Sequence, residues 1–298
     1  MIWYPCKKSK GVTLIELLIA LVISAILVAG IYRTFIHQQK TYATREQVAD
    51  MQQNVRVAIN RMIREIRMAG FGGKNENLNG NNDIITVFGN VNGFTNIINP
   101  ENSVVEDGIT HDRITVVSAY HQTATIAEDV ASGNNTLKIT YLGGTQFDSN
   151  ERKYMCINGR YNYEVVPAAG NIVTLAGVAT LNENHSAGEP VFLVRAIRYG
   201  LRVDVNGVPV LFRDLYPNTG ISRRDTVAEN IEDLQFHYIL VGNPSPPEVD
   251  VPANPMDVRG VRITIQARTR MSDPELKDGG GFRRRTLDTY IDLRNLRD

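Results

Sequence analysis

The chain has 298 residues and equal numbers of basic and acidic side chains, with 32 Lys and Arg against 32 Asp and Glu. Because there is no basic surplus, nucleic acid is not an expected partner. About 230 residues follow the apolar and amphipathic N-terminal segment, enough for one large domain or two small ones.

Residues 11–32 read GVTLIELLIALVISAILVAGIY, an apolar run long enough to cross a bilayer, with one carboxylate, Glu16, near its start. A charged side chain in hydrocarbon costs roughly 2.5 to 3.5 kcal/mol on insertion scales, so we expect Glu16 to have a compensating partner. Upstream, Lys7, Lys8 and Lys10 form a basic head without acids, which the positive-inside bias would keep in the cytoplasm. The pattern predicts a single-pass membrane protein with its body on the other side.

A secretory signal peptide has its cleavage site after the apolar stretch, whereas here Gly11 precedes it. The arrangement K-G-V-T-L-I-E-L resembles the processing site of the type IV prepilin family. The resemblance implies that a prepilin peptidase cuts between Gly11 and Val12 and that Val12 becomes the N-methylated first residue. Glu16 then becomes the fifth residue of the mature chain. The family more often has Phe where this chain has Val12.

The resemblance also gives Glu16 a role in assembly. In the family, this carboxylate is thought to pair with the N-terminal amine of a neighbouring subunit as the helix leaves the lipid for a filament. Within one chain, the new ammonium of Val12 and the carboxylate of Glu16 lie one helical turn apart. Breaking a buried ion pair by removing one partner typically costs about 3 to 5 kcal/mol. The alternative is a signal anchor whose Glu16 lies near the membrane interface and extends toward water.

Removal of residues 1–11 changes the charge and the cysteine content. It would take away three lysines and no acids, leaving 29 basic against 32 acidic residues, a formal charge of −3. Cys6 would also be lost, so Cys156 would remain alone and no internal disulfide could form. We therefore expect the folded head to be stabilised by its hydrophobic core.

Apolar residues continue beyond the membrane segment at steps of three and four, which predicts an amphipathic continuation of the same helix. The apolar stripe, expected to pack on a sheet, consists of Val48, Met51, Val55, Ala58, Ile59, Met62, Ile63 and Ile66. The charged residues expected mainly on the other faces are Arg45, Glu46, Asp50, Arg56, Arg61, Arg64 and Glu65. The whole helix would be roughly 85 Å long and end at Gly70, Gly72 and Gly73. A stalk free of the globular part is the alternative.

The remaining chain has the composition of an antiparallel β domain. Residues 74–108 are rich in Asn and Gly and predict a loop-rich segment. Val, Ile, Thr and Tyr then cluster in predicted strands at residues 113–120, 136–142, 163–166, 172–175 and 191–205. Asn206 and Gly207 stand between two alternating runs, the strongest hairpin signal in the chain.

The last third carries a second resemblance. The segments VAENIEDLQFHYIL, VRGVRITIQARTRM and RRRTLDTYIDLRNL are similar to the C-terminal pattern of PilW-like minor pilins and of the J-type pseudopilin of type II secretion. The expected core anchors are Ile231, Leu234, Phe236, Tyr238, Val261, Ile263 and Ile265. The last three alternate with polar residues, which predicts a strand with one inward face.

No catalytic or metal-binding pattern is present in the sequence. The histidines show no metal-ligand spacing, at His37, His111, His121, His185 and His237. There is no nucleophile elbow, phosphate loop or CxxC pair.

Three local patterns have an ordinary structural interpretation. Residues 279–281 read as a hairpin linker. Residues 283–285, three arginines, could bind phosphate, glycan or DNA, but a solvated strand start beside an acidic neighbour is favoured. Asp204 with Asn206 suggests turn chemistry more than a calcium loop.

These patterns predict an α+β, pilin-like fold with four segments. Residues 1–11 are the leader, 12–36 the membrane and filament-core helix, 37–70 its amphipathic continuation, and 71–298 a β-rich head. The head is expected in the periplasm while the helix is in the inner membrane, and on the cell surface once in a pilus.

The function implied by the two resemblances is that of a minor pilin of a type IV pilus, placed at the tip to prime assembly. The expected partners are the prepilin peptidase and methylase, other minor and major pilins, the inner-membrane assembly machinery and, before assembly, lipid. No enzymatic activity, cofactor or metal is expected. The alternatives are a J-type pseudopilin of type II secretion and a membrane-tethered binding or catalytic module.

Overall fold

The computed structural model describes residues 12–71, 91–148, 150–159, 161–167, 170–221, 223–241, 248–273 and 275–293. The chain divides into two compact units, Met1–Asp50 and Met51–Asp298. One helix, α1, extends from Leu14 to Arg67. The predicted leader, residues 1–11, lies outside the described residues.

In the described part of the chain, α1 is followed by thirteen β-strands and two short 3-10 turns, at Pro255–Asp257 and Gly279–Gly281. The strands are β1 (Ile98–Glu106), β2 (Ile109–Ile126), β3 (Thr136–Tyr141), β4 (Tyr154–Ile157), β5 (Tyr161–Pro167), β6 (Ile172–Leu175), β7 (Pro190–Val203), β8 (Pro209–Asp214), β9 (Arg224–Glu229), β10 (Ile231–Leu240), β11 (Glu248–Val249), β12 (Val258–Arg268) and β13 (Arg284–Asp292).

The C-terminal part of α1 belongs to the core of the second unit, which confirms the predicted packing and excludes the free stalk. Its buried residues follow the predicted stripe: Met51, Val55, Ala58, Ile59, Met62 and Ile66. After the helix, Gly70 adopts a φ of 78°, a left-handed conformation that glycine tolerates. The Gly70 amide donates to the carbonyl of Val117 at 3.0 Å, and the Ala119 amide donates to the carbonyl of Phe71 at 2.8 Å. The chain therefore leaves the helix paired with β2.

Glu65 is an exception to the prediction that the charged residues lie mainly on the other faces of this helix. Only 18% of its side chain is exposed. Its carboxylate accepts hydrogen bonds from the Tyr199 hydroxyl at 2.5 Å and from Arg213 Nη1 at 2.9 Å. Burial and the neighbouring carboxylate raise the pKa of Tyr199, so the phenol remains a donor. Glu65 thus bridges α1 to β7 and β8.

Strands β2 and β7 organise the larger sheet, which has nine strands, all antiparallel in their pairings. The first half of β2 and the second half of β7 pair with each other in an open sheet with the order β1-β2-β7-β8-β9. Their other halves belong to a ring, β2-β3-β6-β5-β4-β7, which closes because β2 also pairs with β7. Two register shifts near His121 accompany the change from sheet to ring, as expected for β-bulges.

The ring encloses its own hydrophobic core. Each of its six strands contributes two buried side chains, and connecting loops add Phe147 and Leu181. The strand residues are Ala124, Ile126, Leu137, Ile139, Met155, Ile157, Tyr163, Val165, Val173, Leu175, Val191 and Leu193. Strand β4 was not predicted, because YMCI is too short to show a periodicity. Cys156 lies buried in this strand.

A second sheet, with the order β11-β10-β12-β13, carries the C-terminal segments. All seven predicted anchors are buried: Ile231, Leu234, Phe236, Tyr238, Val261, Ile263 and Ile265. The segment 227–240 is divided between two strands at Asn230, whose φ is 60°. Residues before Asn230 pair in the larger sheet and residues after it in the smaller one. Buried Asp112 of β2 joins the two sheets by accepting the Phe236 amide at 3.0 Å.

Strand β1 corrects the loop-rich prediction for residues 74–108, of which residues 74–90 lie outside the described part. Its sequence, INPENSVVE, contains residues with low strand propensity. The strand forms at the sheet edge, where Pro100 is tolerated. A bulge follows Glu101, and the Ser103 amide donates to Asp112 Oδ1 at 3.0 Å. Tertiary contacts therefore override the local preference.

We expect Glu65→Ala to lower the free energy of unfolding of the second unit by about 3 kcal/mol, because Arg213 would keep a buried charge without its main partner. Urea unfolding of the detergent-solubilised chain, followed by circular dichroism, would measure this loss. Glu46→Ala is the control, since Glu46 is an exposed acid of the same helix and should change stability by less than about 0.5 kcal/mol. A similar small effect for Glu65→Ala would show that the bridge contributes nothing.

A second expectation concerns His111, whose side chain is fully buried in β2. Burial lowers the pKa of His111, and nearby Arg113 acts in the same direction, while the Ile109 carbonyl opposes them. The unfolded chain therefore binds a proton near its ordinary pKa of about 6.5 while the folded chain does not. Stability should fall below this pH by up to about 1.4 kcal/mol per pH unit until the folded pKa is passed.

This pH dependence can be measured by urea unfolding between about pH 8 and pH 5. His111→Gln should flatten the dependence, because glutamine does not titrate. His121→Gln, at an exposed position of the same strand, should not change it. Equal slopes for wild type and His111→Gln would contradict the assignment.

Candidate processing and assembly site

The predicted processing residues lie at the start of the described chain. Val12 immediately precedes the first turn of α1, and 71% of its surface is exposed. Gly11 and the predicted leader charges, Lys7, Lys8 and Lys10, lie outside the described residues. The structure therefore describes the mature side of the predicted cut.

Thr13 and Glu16 form a reciprocal cap at the N-terminus of α1. The Glu16 amide donates to Thr13 Oγ1 at 3.4 Å, and the Thr13 amide donates to Glu16 Oε2 at 3.3 Å. The Thr13 hydroxyl also donates to Glu16 Oε2 at 3.2 Å. Main-chain bonds from Glu16 and Leu17 to the Thr13 carbonyl complete the first turn. This is the capping-box arrangement, which satisfies amides that a helix start leaves unpaired.

The cap specifies where the Glu16 carboxylate lies. It is held over the positive end of the helix, where the aligned peptide dipoles favour a negative charge. Both of its observed donors belong to Thr13, one residue from the nitrogen that a cut after Gly11 would expose. The capping role of Thr13 was not predicted, although the spacing T-x-x-E before an apolar run is the signal for this cap.

Beyond the cap, α1 presents apolar side chains on all sides. Its apolar part is long and apolar enough to cross a membrane, and none of that stretch is buried within the chain. The hydroxyls inside it are satisfied locally: Ser24 donates to the Ala20 carbonyl at 2.7 Å, and Thr34 to the Gly30 carbonyl at 3.0 Å. Hydroxyls can enter hydrocarbon in this way. The Glu16 carboxylate, by contrast, makes no ion pair with any described residue.

Comparison with known proteins supports this N-terminal assignment. Residues 6–32 match a family model described as the prokaryotic N-terminal methylation motif. The chain carries a prepilin-type signal. This motif implies processing by a prepilin peptidase and marks a substrate of the pilin or pseudopilin type, a class that is structural and typically not enzymatic. Searches of curated proteins and of solved structures gave no match.

The fold agrees with the motif. A long N-terminal helix packed on an antiparallel β domain is the α+β, pilin-like architecture that the sequence predicted. The matched segment covers only the N-terminus, so it does not distinguish a minor pilin from a pseudopilin.

The head residues that were considered as ligand sites form turn hydrogen bonds and ion pairs within the chain. Asp204 accepts the amides of Asn206 at 2.9 Å and Val208 at 2.8 Å, which lowers the pKa of its carboxyl and forms the β7–β8 turn. Arg283 pairs with Asp273 at 2.7 Å and Arg284 with Glu232 at 2.5 Å, the acidic neighbours expected for a strand start. Among the described residues, no group of three His, Cys, Asp or Glu is placed to hold a metal.

We expect Gly11→Val to block removal of the leader, because a β-branched side chain would occupy the position before the cut. Intact-mass measurement of protein from cells with the peptidase should show wild type lacking residues 1–11 and carrying one added methyl group. Ser9→Val, two residues upstream, should be processed like wild type. A wild-type chain that keeps Met1 would contradict the predicted cut, as would normal processing of Gly11→Val.

Proposed function

We propose that the protein is a minor pilin of a type IV pilus, cut between Gly11 and Val12, N-methylated at Val12 and placed at the filament tip to prime assembly. The methylation motif at residues 6–32 and the exposed apolar part of α1 support this proposal. The observation that carries it is Glu16, a carboxylate in an apolar run that makes no ion pair in the described chain. Such a charge is costly in lipid unless it gains a partner, and a neighbouring subunit can supply one.

In the proposed mechanism, the N-terminal part of α1 moves from the membrane into the filament. Within the described chain, Glu16 Oε2 accepts hydrogen bonds from the amide and the hydroxyl of Thr13. In the filament, the Val12 ammonium of a neighbouring subunit supplies the positive charge, and two buried charges neutralise each other. The apolar side chains of α1 exchange lipid for protein contacts in the same step. An assembly ATPase encoded elsewhere drives the extraction.

The partners in this proposal are the prepilin peptidase and methylase, other minor and major pilins, and the inner-membrane assembly machinery. The head lies in the periplasm before assembly and on the cell surface afterwards. Lys and Arg are equally frequent near the two ends of the apolar run, with Lys7, Lys8 and Lys10 before it and Arg33, Lys40 and Arg45 after it. The basic head alone predicts a cytoplasmic N-terminus, but the equal number of basic residues after the run offsets this bias, so the proposed orientation rests on the processing motif.

A J-type pseudopilin of type II secretion is the second candidate, because the resemblance of the C-terminal segments includes that class. The size of the head favours a minor subunit, since a bulky head obstructs helical packing in a filament shaft. Deletion distinguishes the two candidates. A minor pilin is expected to be required for surface pili with secretion intact, and a pseudopilin for secretion with pili intact.

We expect Glu16→Gln to reduce the amount of protein in sheared filaments by at least about 100-fold, which corresponds to the roughly 3 kcal/mol lost when a buried charge loses its partner. Glutamine retains the capping box, so this variant removes the charge while keeping the helix start. Immunoblots of the filament and membrane fractions would measure the distribution.

The controls separate assembly from processing and folding. Glu16→Gln should lose its leader and show the wild-type melting temperature of the head. Glu46→Gln, an exposed acid further along α1, should enter filaments normally. Normal incorporation of Glu16→Gln would favour a membrane-tethered module whose helix is only an anchor.

A further inference from the structure

A groove of about 450 Å³ lies in the second unit between the last turns of α1 and the strands β2, β7 and β8. Four arginines and one acid line it: Arg61, Arg64, Arg195, Arg213 and Glu65. It lies outside the N-terminal motif and outside the enclosed core of the ring. The excess of positive charge predicts an anionic ligand.

Glu65, the one acid among the residues that line the groove, already lies close to two of the arginines. Glu65 Oε1 lies 2.9 Å from Arg213 Nη1 and 4.0 Å from Arg61 Nε. Among the described residues, Arg64 and Arg195 make no ion pair. The groove therefore presents two guanidinium groups that no described residue pairs with through a carboxylate.

Arg195 is held in place without a carboxylate. Its guanidinium carbon lies 3.9 Å from the centre of the Tyr120 ring, a cation–π contact. Its Nε is buried and has no hydrogen-bond partner among the described residues. Burial lowers the pKa of Arg195, while Tyr120 and Glu65 act in the opposite direction. Two acids near Tyr120 are paired elsewhere, Asp148 with Arg152 and Glu151 with Arg223.

The rim of the groove indicates that the anion is carried by a protein. Val57 and Met68 line it although 56% and 42% of their surfaces are exposed. Exposed apolar side chains beside arginine and tyrosine are the composition of protein contact sites, in which Arg, Tyr and Met are enriched. A free anion would need the arginines but not the apolar rim.

We propose that this arginine groove binds an acidic segment of a neighbouring filament subunit, with a carboxylate of that segment placed between Arg64 and Arg195. The inference rests on the proposed filament role, because that role places other subunits beside the head. It adds a contact made by the head to the contact made by the N-terminal helix.

The test compares arginines on one helix. Arg64 lines the groove, whereas Arg67, also exposed and one turn further along α1, does not. We expect Arg64→Gln combined with Arg195→Gln to reduce incorporation into sheared filaments about tenfold, and the single variant Arg64→Glu to reduce it more than Arg64→Gln. Arg67→Gln and Arg67→Glu should be incorporated like wild type. Each variant is also checked for leader removal and for the melting temperature of the head.

A photoreactive amino acid at Val57 tests the contact directly. The supporting result is a cross-linked peptide from another pilin-type subunit that contains Asp or Glu and is absent when Arg64 and Arg195 are both glutamine. Normal incorporation of Arg64→Glu would overturn the inference, whether or not inorganic phosphate stabilises the head against unfolding. If wild type itself is unprocessed or missing from filaments, the proposed function fails. If wild type assembles and the groove variants assemble equally well, only the groove inference fails.

Discussion

Two carboxylates on α1 show the constraint on which the protein depends, namely that a charge removed from water needs a partner. Glu65 has its partners within the chain, because Tyr199 and Arg213 approach it from neighbouring strands. Among the described residues, Glu16 has as donors only the amide and hydroxyl of Thr13, in its own helical turn. The same helix thus carries one charge that folding satisfies and one that folding leaves incomplete. A charge that folding leaves without a partner is expected in a subunit that is finally surrounded by other subunits.

The elements that the sequence predicted are those whose pattern is local and repeated. The stripe from Met51 to Ile66 appears at helical spacing, and Val261, Ile263 and Ile265 alternate at strand spacing, so burial follows directly from position. The role of Glu65 was not predictable in this way, since its partners lie far away in sequence. The Thr13 cap was predictable, because the spacing of Thr13 and Glu16 is sufficient to indicate it.

The closed ring and the second sheet could not be read from the sequence for a different reason. A ring is a property of pairings between distant strands, here β2 with β7, and composition gives no register between them. The same holds for Asn230, whose left-handed conformation sends one continuous β-rich segment into two sheets. Strand β1 exists because the sheet edge accepts it, despite its asparagine and proline. Long-range pairing decided the outcome wherever local preference was weak.

The described chain is left with unmatched charges of both signs, and this argues for assembly more strongly than either charge alone. The Glu16 carboxylate is negative at the helix start, while Arg64 and Arg195 are positive in the head. A chain that worked alone could remove the cost of the part-buried Arg195, and of Glu16 once its helix lies in lipid, by substituting neutral side chains, because an unpaired charge withdrawn from water costs free energy. Charges that lack partners within one subunit are instead suited to selecting a neighbour, since a wrong neighbour leaves them unpaired. The N-terminal helix and the head would then contribute separately to the selection of adjoining subunits.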